Sequence, residues 1–131
     1  MTNTNPFQKT LKETLSIEGV GLHTGKSVSL NIMPASENHG FKFRRTDLLQ
    51  SPIIEVFAEH VIDTSRGTKL QQNGATIGTI EHLMAALVGF GIDNALIEVD
   101  NEEMPILDGS SLPYIENFKK IGIENICETW R

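Results

Sequence analysis

The chain has 131 residues, 39% of them apolar but only 6% aromatic, and a formal net charge of −6. That length makes one domain, able to bury roughly two-thirds of its unfolded surface without disulfide or metal staples. The acidic balance excludes a nucleic-acid partner, since a phosphate backbone needs clustered Lys and Arg, and the single cysteine, Cys127, excludes an internal disulfide.

Residues 1–7 read as a flexible start and 8–131 as one domain; the opening Met1-Thr2-Asn3-Thr4-Asn5-Pro6 has neither the charged nor the apolar block of a signal peptide. No apolar run approaches the ~18 residues a membrane span needs, so the expectation is a cytoplasmic protein with no transmembrane segment. Leu11, Leu15 and Ile17 alternate with polar neighbours over 11–18, a half-buried strand. Gly19-Val20-Gly21-Leu22-His23-Thr24-Gly25 then interrupts with three glycines, a connection needing positive φ or close backbone approach. Val28, Leu30 and Ile32 alternate strictly with Ser27, Ser29 and Asn31, a second strand; Phe41 and Phe43 alternate with Lys42 and Arg44, a third. The short basic run 42–45 is read as the exposed face of that strand. Further strands are expected over 53–57 and near Val61. Residues 68–70 and 75–77 form a hairpin around Gln71-Gln72-Asn73-Gly74, Asn-Gly being a favoured turn dipeptide.

The period then changes. Ile80, Leu83, Met84, Leu87 and Val88 fall at i, i+3, i+4, i+7 and i+8, one helical stripe with Thr79 as N-cap and Gly89 or Gly91 closing the C-terminus. Residues 94–99 return to strand. Asp108-Gly109-Ser110-Ser111 is a turn feeding a second helix, with Pro113 in its first turn, Leu112, Ile115, Phe118 and Ile121 on its inner side, and Gly122 at its end. The predicted class is α+β: an antiparallel or mixed sheet with two helices on one face.

Chemistry concentrates at Thr79-Ile80-Glu81-His82-Leu83. Adjacent helical residues point about 100° apart, so Glu81 and His82 do not pack against one neighbour. The helix N-terminus carries about half a positive charge, which favours an ionised Glu and a neutral imidazole, the states that a general base and a metal ligand require. Two solvated side chains on an ordinary helix fit the same spacing. His23 lies in a glycine-flanked loop where backbone approaches a ligand closely, or is a plain turn residue. Asp108 reads as a turn former, and residues 63–68 as a polar surface loop. His60 and Asp63 sit three apart on an expected strand, face opposite ways, and are discounted as a metal pair.

Taken together, Gly19-Val20-Gly21-Leu22-His23-Thr24-Gly25, Arg44-Arg45-Thr46-Asp47, Thr79-Ile80-Glu81-His82-Leu83, Gly91-Ile92-Asp93-Asn94 and Pro105-Ile106-Leu107-Asp108-Gly109-Ser110 resemble one family, in family order over residues 8–122. It is the zinc-dependent UDP-3-O-acyl-N-acetylglucosamine deacetylases of lipid A biosynthesis, built from two similar α+β domains with their helices sandwiched between outer sheets. The chain resembles the first domain. The resemblance implies that Glu81 is the general base activating a zinc-bound water and that His82 is one of three protein ligands to Zn²⁺. It places Leu22 near the entrance of the acyl passage, His23 at the edge of the substrate cleft, and Ser65, Arg66, Gly67 and Thr68 along it. The other ligands, in a His-x-x-x-Asp pattern, belong to the second domain, and no such pattern occurs here. A catalytic zinc site takes three protein ligands, so this chain alone is expected to bind zinc weakly and deacetylate little. An uncovered helical face would expose several hundred Å² of apolar surface, and a homodimer through it is the expected cover. The alternative is a non-enzymatic binding or assembly module with the same fold.

Overall fold

The computed structural model describes residues 7–65 and 67–127. The loose ends expected at residues 1–7 and at the last few positions therefore fall, Phe7 apart, outside the described residues, as does Arg66.

A five-stranded mixed sheet forms the centre. Its strands are β2 (Leu15–Val20), β3 (Ser27–Pro34), β4 (Phe41–Arg45), β5 (Ile53–Glu55) and β9 (Ala95–Val99), in the order β2-β3-β9-β4-β5. Only β4 and β9 run parallel. Alternation decides which face is buried. Register places Leu15 beside Ile32, Ile32 beside Ile97, Ile97 beside Phe43 and Phe43 beside Ile54, one apolar row across all five strands. These five side chains are buried, and the opposite face carries polar partners such as Arg44 and Glu98, 3.0 Å apart.

Helices α1 (Glu81–Phe90) and α2 (Leu112–Ile121) cover the apolar face, since Leu83, Ala86, Leu87, Tyr114 and Phe118 join the same buried cluster as the sheet. α1 ends at Gly91, whose left-handed φ of 86° lets its N–H return to the last turn. The inner face of α1 is narrower than the sequence stripe: Ile80, Leu83 and Leu87 are buried, Met84 is half-buried, and Val88 is exposed. Ala86 holds the place expected of Val88, because the residue three before or after a buried position faces the sheet as well as the one four away. On α2, Leu112 proves exposed and Tyr114 buried, a rotation that seats Tyr114 and Phe118, four apart, on the inner side.

A second layer of correction concerns strands. The stretch 11–18 is not one strand: exposed Lys12, Glu13 and Thr14 break it into β1 (Gln8–Leu11) and β2. β1 pairs antiparallel with β10 (Ile123–Cys127), which the sequence reading missed. The strand expected over 53–57 stops at Glu55, and a 3-10 turn (Ala58–His60) follows it. Beyond it, β6 (Val61–Asp63), β7 (Lys69–Gln72) and β8 (Ala75–Gly78) form a three-stranded sheet. Its β7–β8 hairpin turns at Asn73 and Gly74, both at positive φ as the Asn-Gly dipeptide predicts. Within the described residues no helix is long and apolar enough to cross a membrane.

Candidate functional site

The segment 102–106 assembles the site. Lacking a helical or strand period, it is stitched by backbone to two elements: Gly78 N–H donates to Glu102 O at 2.9 Å and Met104 N–H to Gly78 O at 3.0 Å, while Ile106 N–H donates to Val20 O at 2.9 Å. It therefore bridges the end of β8 and the end of β2, and Glu103 between these anchors points under the glycine loop.

Glu103 is 4% exposed. Its Oε1 accepts the backbone N–H of His23 at 3.0 Å and of Thr24 at 3.1 Å; its Oε2 pairs with His23 Nδ1 at 2.6 Å and accepts the Thr79 hydroxyl at 3.2 Å. Burial pushes the carboxyl up, but the Thr24 and His23 N–H groups, the imidazole and the Thr79 hydroxyl outweigh it and hold its pKa below the ordinary value. The loop fits so closely that a Cβ on Gly21 would lie 2.5 Å from Glu103 Oε1, which is why glycine stands there. Sequence reasoning missed Glu103 because its partners lie 24 to 80 positions away in the chain and no local pattern marks it.

Thr79 is not the helix N-cap. Its φ is +59°, its hydroxyl serves Glu103, and Ile80 precedes the first helical residue with no side-chain cap. That backbone conformation is costly for a β-branched residue and is held by its surroundings.

Glu81 and His82 both stand half-buried in the first turn of α1, not in a sealed interior. Glu81 Oε1 accepts the N–H of Thr68 at 3.0 Å, and Oε2 has no partner among the described residues. Gly67, at φ +92°, brings its backbone so near that a Cβ would sit 3.0 Å from Glu81 Oε2. The His82 ring has no hydrogen bond to any described residue.

A cavity of about 340 Å³ is lined by His23, Thr24, Asp63, Ser65, Gly67, Lys69, Thr79 and Glu103 among others. His23, Ser65 and Gly67 thus share one wall system. Thr68 and Glu81 instead line a neighbouring apolar groove of about 380 Å³ with Val56, Phe57, Val61, Ile80 and Met84. Residues 67 and 68 border one space each. His82 and Leu22 line neither, Leu22 being exposed at the tip of its loop. His60 and Asp63 do not converge: His60 Nδ1 bonds Glu55 O at 2.8 Å, and Asp63 accepts Ser65 N–H and hydroxyl at 2.9 Å.

Chemically the arrangement offers a fixed carboxylate with one oxygen unengaged by any described residue, an adjacent imidazole likewise unbonded among them, and a polar cavity fit for a small polar ligand. No group of three His, Cys, Asp or Glu among the described residues is gathered to hold a metal ion.

A family model described as UDP-3-O-acyl N-acetylglycosamine deacetylase matches residues 8–130. A protein named bifunctional enzyme LpxC/FabZ from Bacteroides thetaiotaomicron is 48% identical over 117 residues, which are 89% of this chain and 25% of that protein. Proteins named UDP-3-O-acyl-N-acetylglucosamine deacetylase match likewise: that of Syntrophus aciditrophicus at 48% identity over 89% of this chain, and that of Myxococcus xanthus at 47% over 88%, each covered over 37% of its own length. The chain thus spans between a quarter and two-fifths of these relatives.

Proposed function

The chain belongs to the UDP-3-O-acyl N-acetylglycosamine deacetylase family, and on that premise we propose that it forms the part of such a deacetylase that supplies the proton acceptor, Glu81, and one metal ligand, His82. The observation that carries this reading is the pairing of a carboxylate anchored by a loop N–H with an imidazole one residue on that bonds no described residue, both half-buried at a helix start. The substrate class is an N-acetylated sugar nucleotide, UDP-3-O-acyl-N-acetylglucosamine, and its reaction, amide hydrolysis in lipid A biosynthesis, belongs in the cytoplasm.

Glu81 suits the base role because Thr68 N–H occupies Oε1 and fixes the group, while Oε2 remains to take a proton from water attacking the acetamide. His23, Ser65 and Gly67 border the cavity that takes the sugar nucleotide and Thr68 the neighbouring groove, Arg66 belongs to the same loop in sequence, and Leu22 meets the acyl chain at its exposed loop tip. The residues present fit zinc in part: His82 offers one ring nitrogen, and the remaining ligands come from sequence that the relatives have and this chain does not span. When bound, Zn²⁺ supplies Lewis-acid polarisation of the amide carbonyl and acidifies water. With one ligand of three, the chain by itself binds zinc weakly and turns over little or no substrate. Self-association through the exposed edge of the helical layer is part of the same proposal.

The test is acetate release from UDP-3-O-acyl-N-acetylglucosamine in the presence of zinc, measured with the chain alone and with the chain fused to the remaining residues of the Syntrophus aciditrophicus relative. Activity only in the fusion is the expected result. Efficient turnover by the chain alone contradicts the incomplete metal site, and a folded but silent fusion favours a binding module instead.

A further inference from the structure

Three features stand outside the proposed base and metal ligand: the apolar groove beside Met84, the ion pair of buried Arg45 with exposed Asp47, and the Glu103 carboxylate under the His23 loop. The groove has nothing on it to identify its occupant, and Arg45 spends its donors on Asp47 and Thr76 O within the fold.

An ionised carboxylate only accepts hydrogen bonds. Glu103 is buried, and four donors converge on its two oxygens, so every group that touches it must bring a hydrogen. The 2.6 Å contact from His23 Nδ1 to Oε2 is therefore an Nδ1–H donating to a carboxylate, a short charge-assisted bond. A neutral imidazole has one N–H, and the bond made by one nitrogen decides the state of the other. In the neutral ring Nε2 is then left as a bare lone pair, and that ring lines the 340 Å³ cavity with no other partner among the described residues.

We infer that Glu103 is a positioning residue that locks His23 in the Nδ1–H form, so that Nε2 meets the cavity as a hydrogen-bond acceptor for a ligand hydroxyl or amide N–H. The same carboxylate clamps Thr79, three positions before His82, so one buried group ties the glycine loop to the start of α1. This rests on the deacetylase reading only in taking the cavity for the ligand site.

Glu103→Gln separates positioning from mere support. The amide carbonyl can keep the Oε1 place, taking the His23 and Thr24 N–H groups, while its NH₂ stands where Oε2 was and donates to His23 Nδ1. The loop then persists but the imidazole inverts to Nε2–H. The experiment is ¹⁵N NMR of the four histidine rings in the full chain at alkaline pH, without substrate. The wild type is expected to show a protonated Nδ1 and an unprotonated Nε2 at His23, and Glu103→Gln to exchange the two nitrogen shifts while distant backbone amides stay in place. A wild-type His23 in the Nε2–H form overturns the inference, as does an unchanged tautomer in a folded Glu103→Gln. Should the variant not fold, the wild-type spectrum decides. Because no turnover is measured, failure of the deacetylase reading leaves this result standing.

Discussion

Among the described residues Glu81 is held from one side only, and that asymmetry gives it a testable role. Gln at position 81 preserves the acceptor that Thr68 N–H uses and removes the capacity to take a proton. Glu81→Gln should therefore leave the urea midpoint of the chain nearly unchanged while lowering kcat of the fused enzyme about 10²- to 10⁴-fold, the range of a lost general base. An unchanged kcat would assign the proton to another group. Gly67 is the complementary case. A methyl there meets both a φ of +92° and the Glu81 carboxylate at 3.0 Å, so Gly67→Ala should cost about 1–3 kcal/mol of stability. Equal stability by urea unfolding would mean that the loop relaxes away from Glu81.

Glu103 makes a pH prediction at the same scale. Its folded pKa lies below the ordinary 4.5 because backbone N–H groups, the imidazole and a hydroxyl together overcome the effect of burial. With the folded value depressed, the unfolded chain binds protons first as pH falls. The stabilisation is full above the unfolded value and is lost as pH drops through the folded one. Asp47, lowered chiefly by its hydrogen bonds to Arg45, adds a contribution of the same sign. Stability should thus fall more steeply below pH 4.5 in the wild type than in Glu103→Gln. Parallel curves of urea midpoint against pH would show that Glu103 does not carry its charge into the fold.

Among elements, legibility followed the range of the forces involved. α1 was readable because burial repeats every three or four residues, and the hairpin because Asn73-Gly74 meets a backbone requirement within two positions. β10 was not, since Ile123-Glu124-Asn125-Ile126 shows little alternation and owes its strand form to β1, more than a hundred residues away. Thr79 was misread for a related reason. Ser, Thr, Asp and Asn before an apolar period mark a cap, but here the hydroxyl is claimed by Glu103, a partner invisible to local pattern. Of the candidate site, Glu81, His82 and His23 are residues the sequence motifs single out, whereas the carboxylate that joins the glycine loop to Thr79 carries no local signal. The corrected face of α1 yields its own test. Leu87→Ala empties a fully buried position and should cost about 2–5 kcal/mol, while Val88→Ala should change stability by no more than about 0.5 kcal/mol. Comparable losses at both positions would restore the wider stripe.

For the whole molecule, the question is what the outer side of the helical layer meets. Most of the α1 stripe is already covered by its own sheet, so the apolar surface left beside α1 is a rim: Val88 at 66% exposed, Phe57 at 51%, Val61 at 37% and half-buried Met84. Phe57, Val61 and Met84 line a single groove, and Glu81 closes part of it. Such a rim is concave and apolar, which favours weak association over water. The chain should therefore show a mass in light scattering that rises with concentration toward a dimer. Val88→Glu, at a solvent-facing position that costs the fold little, should hold it monomeric. Fusion to the remaining part of a relative should abolish self-association as well, because the family resemblance implies a second domain whose helices pack against the same layer. A mass that stays monomeric at the highest concentrations reached would show that this rim is solvated in the chain alone, and would remove the helical face as the place where copies meet.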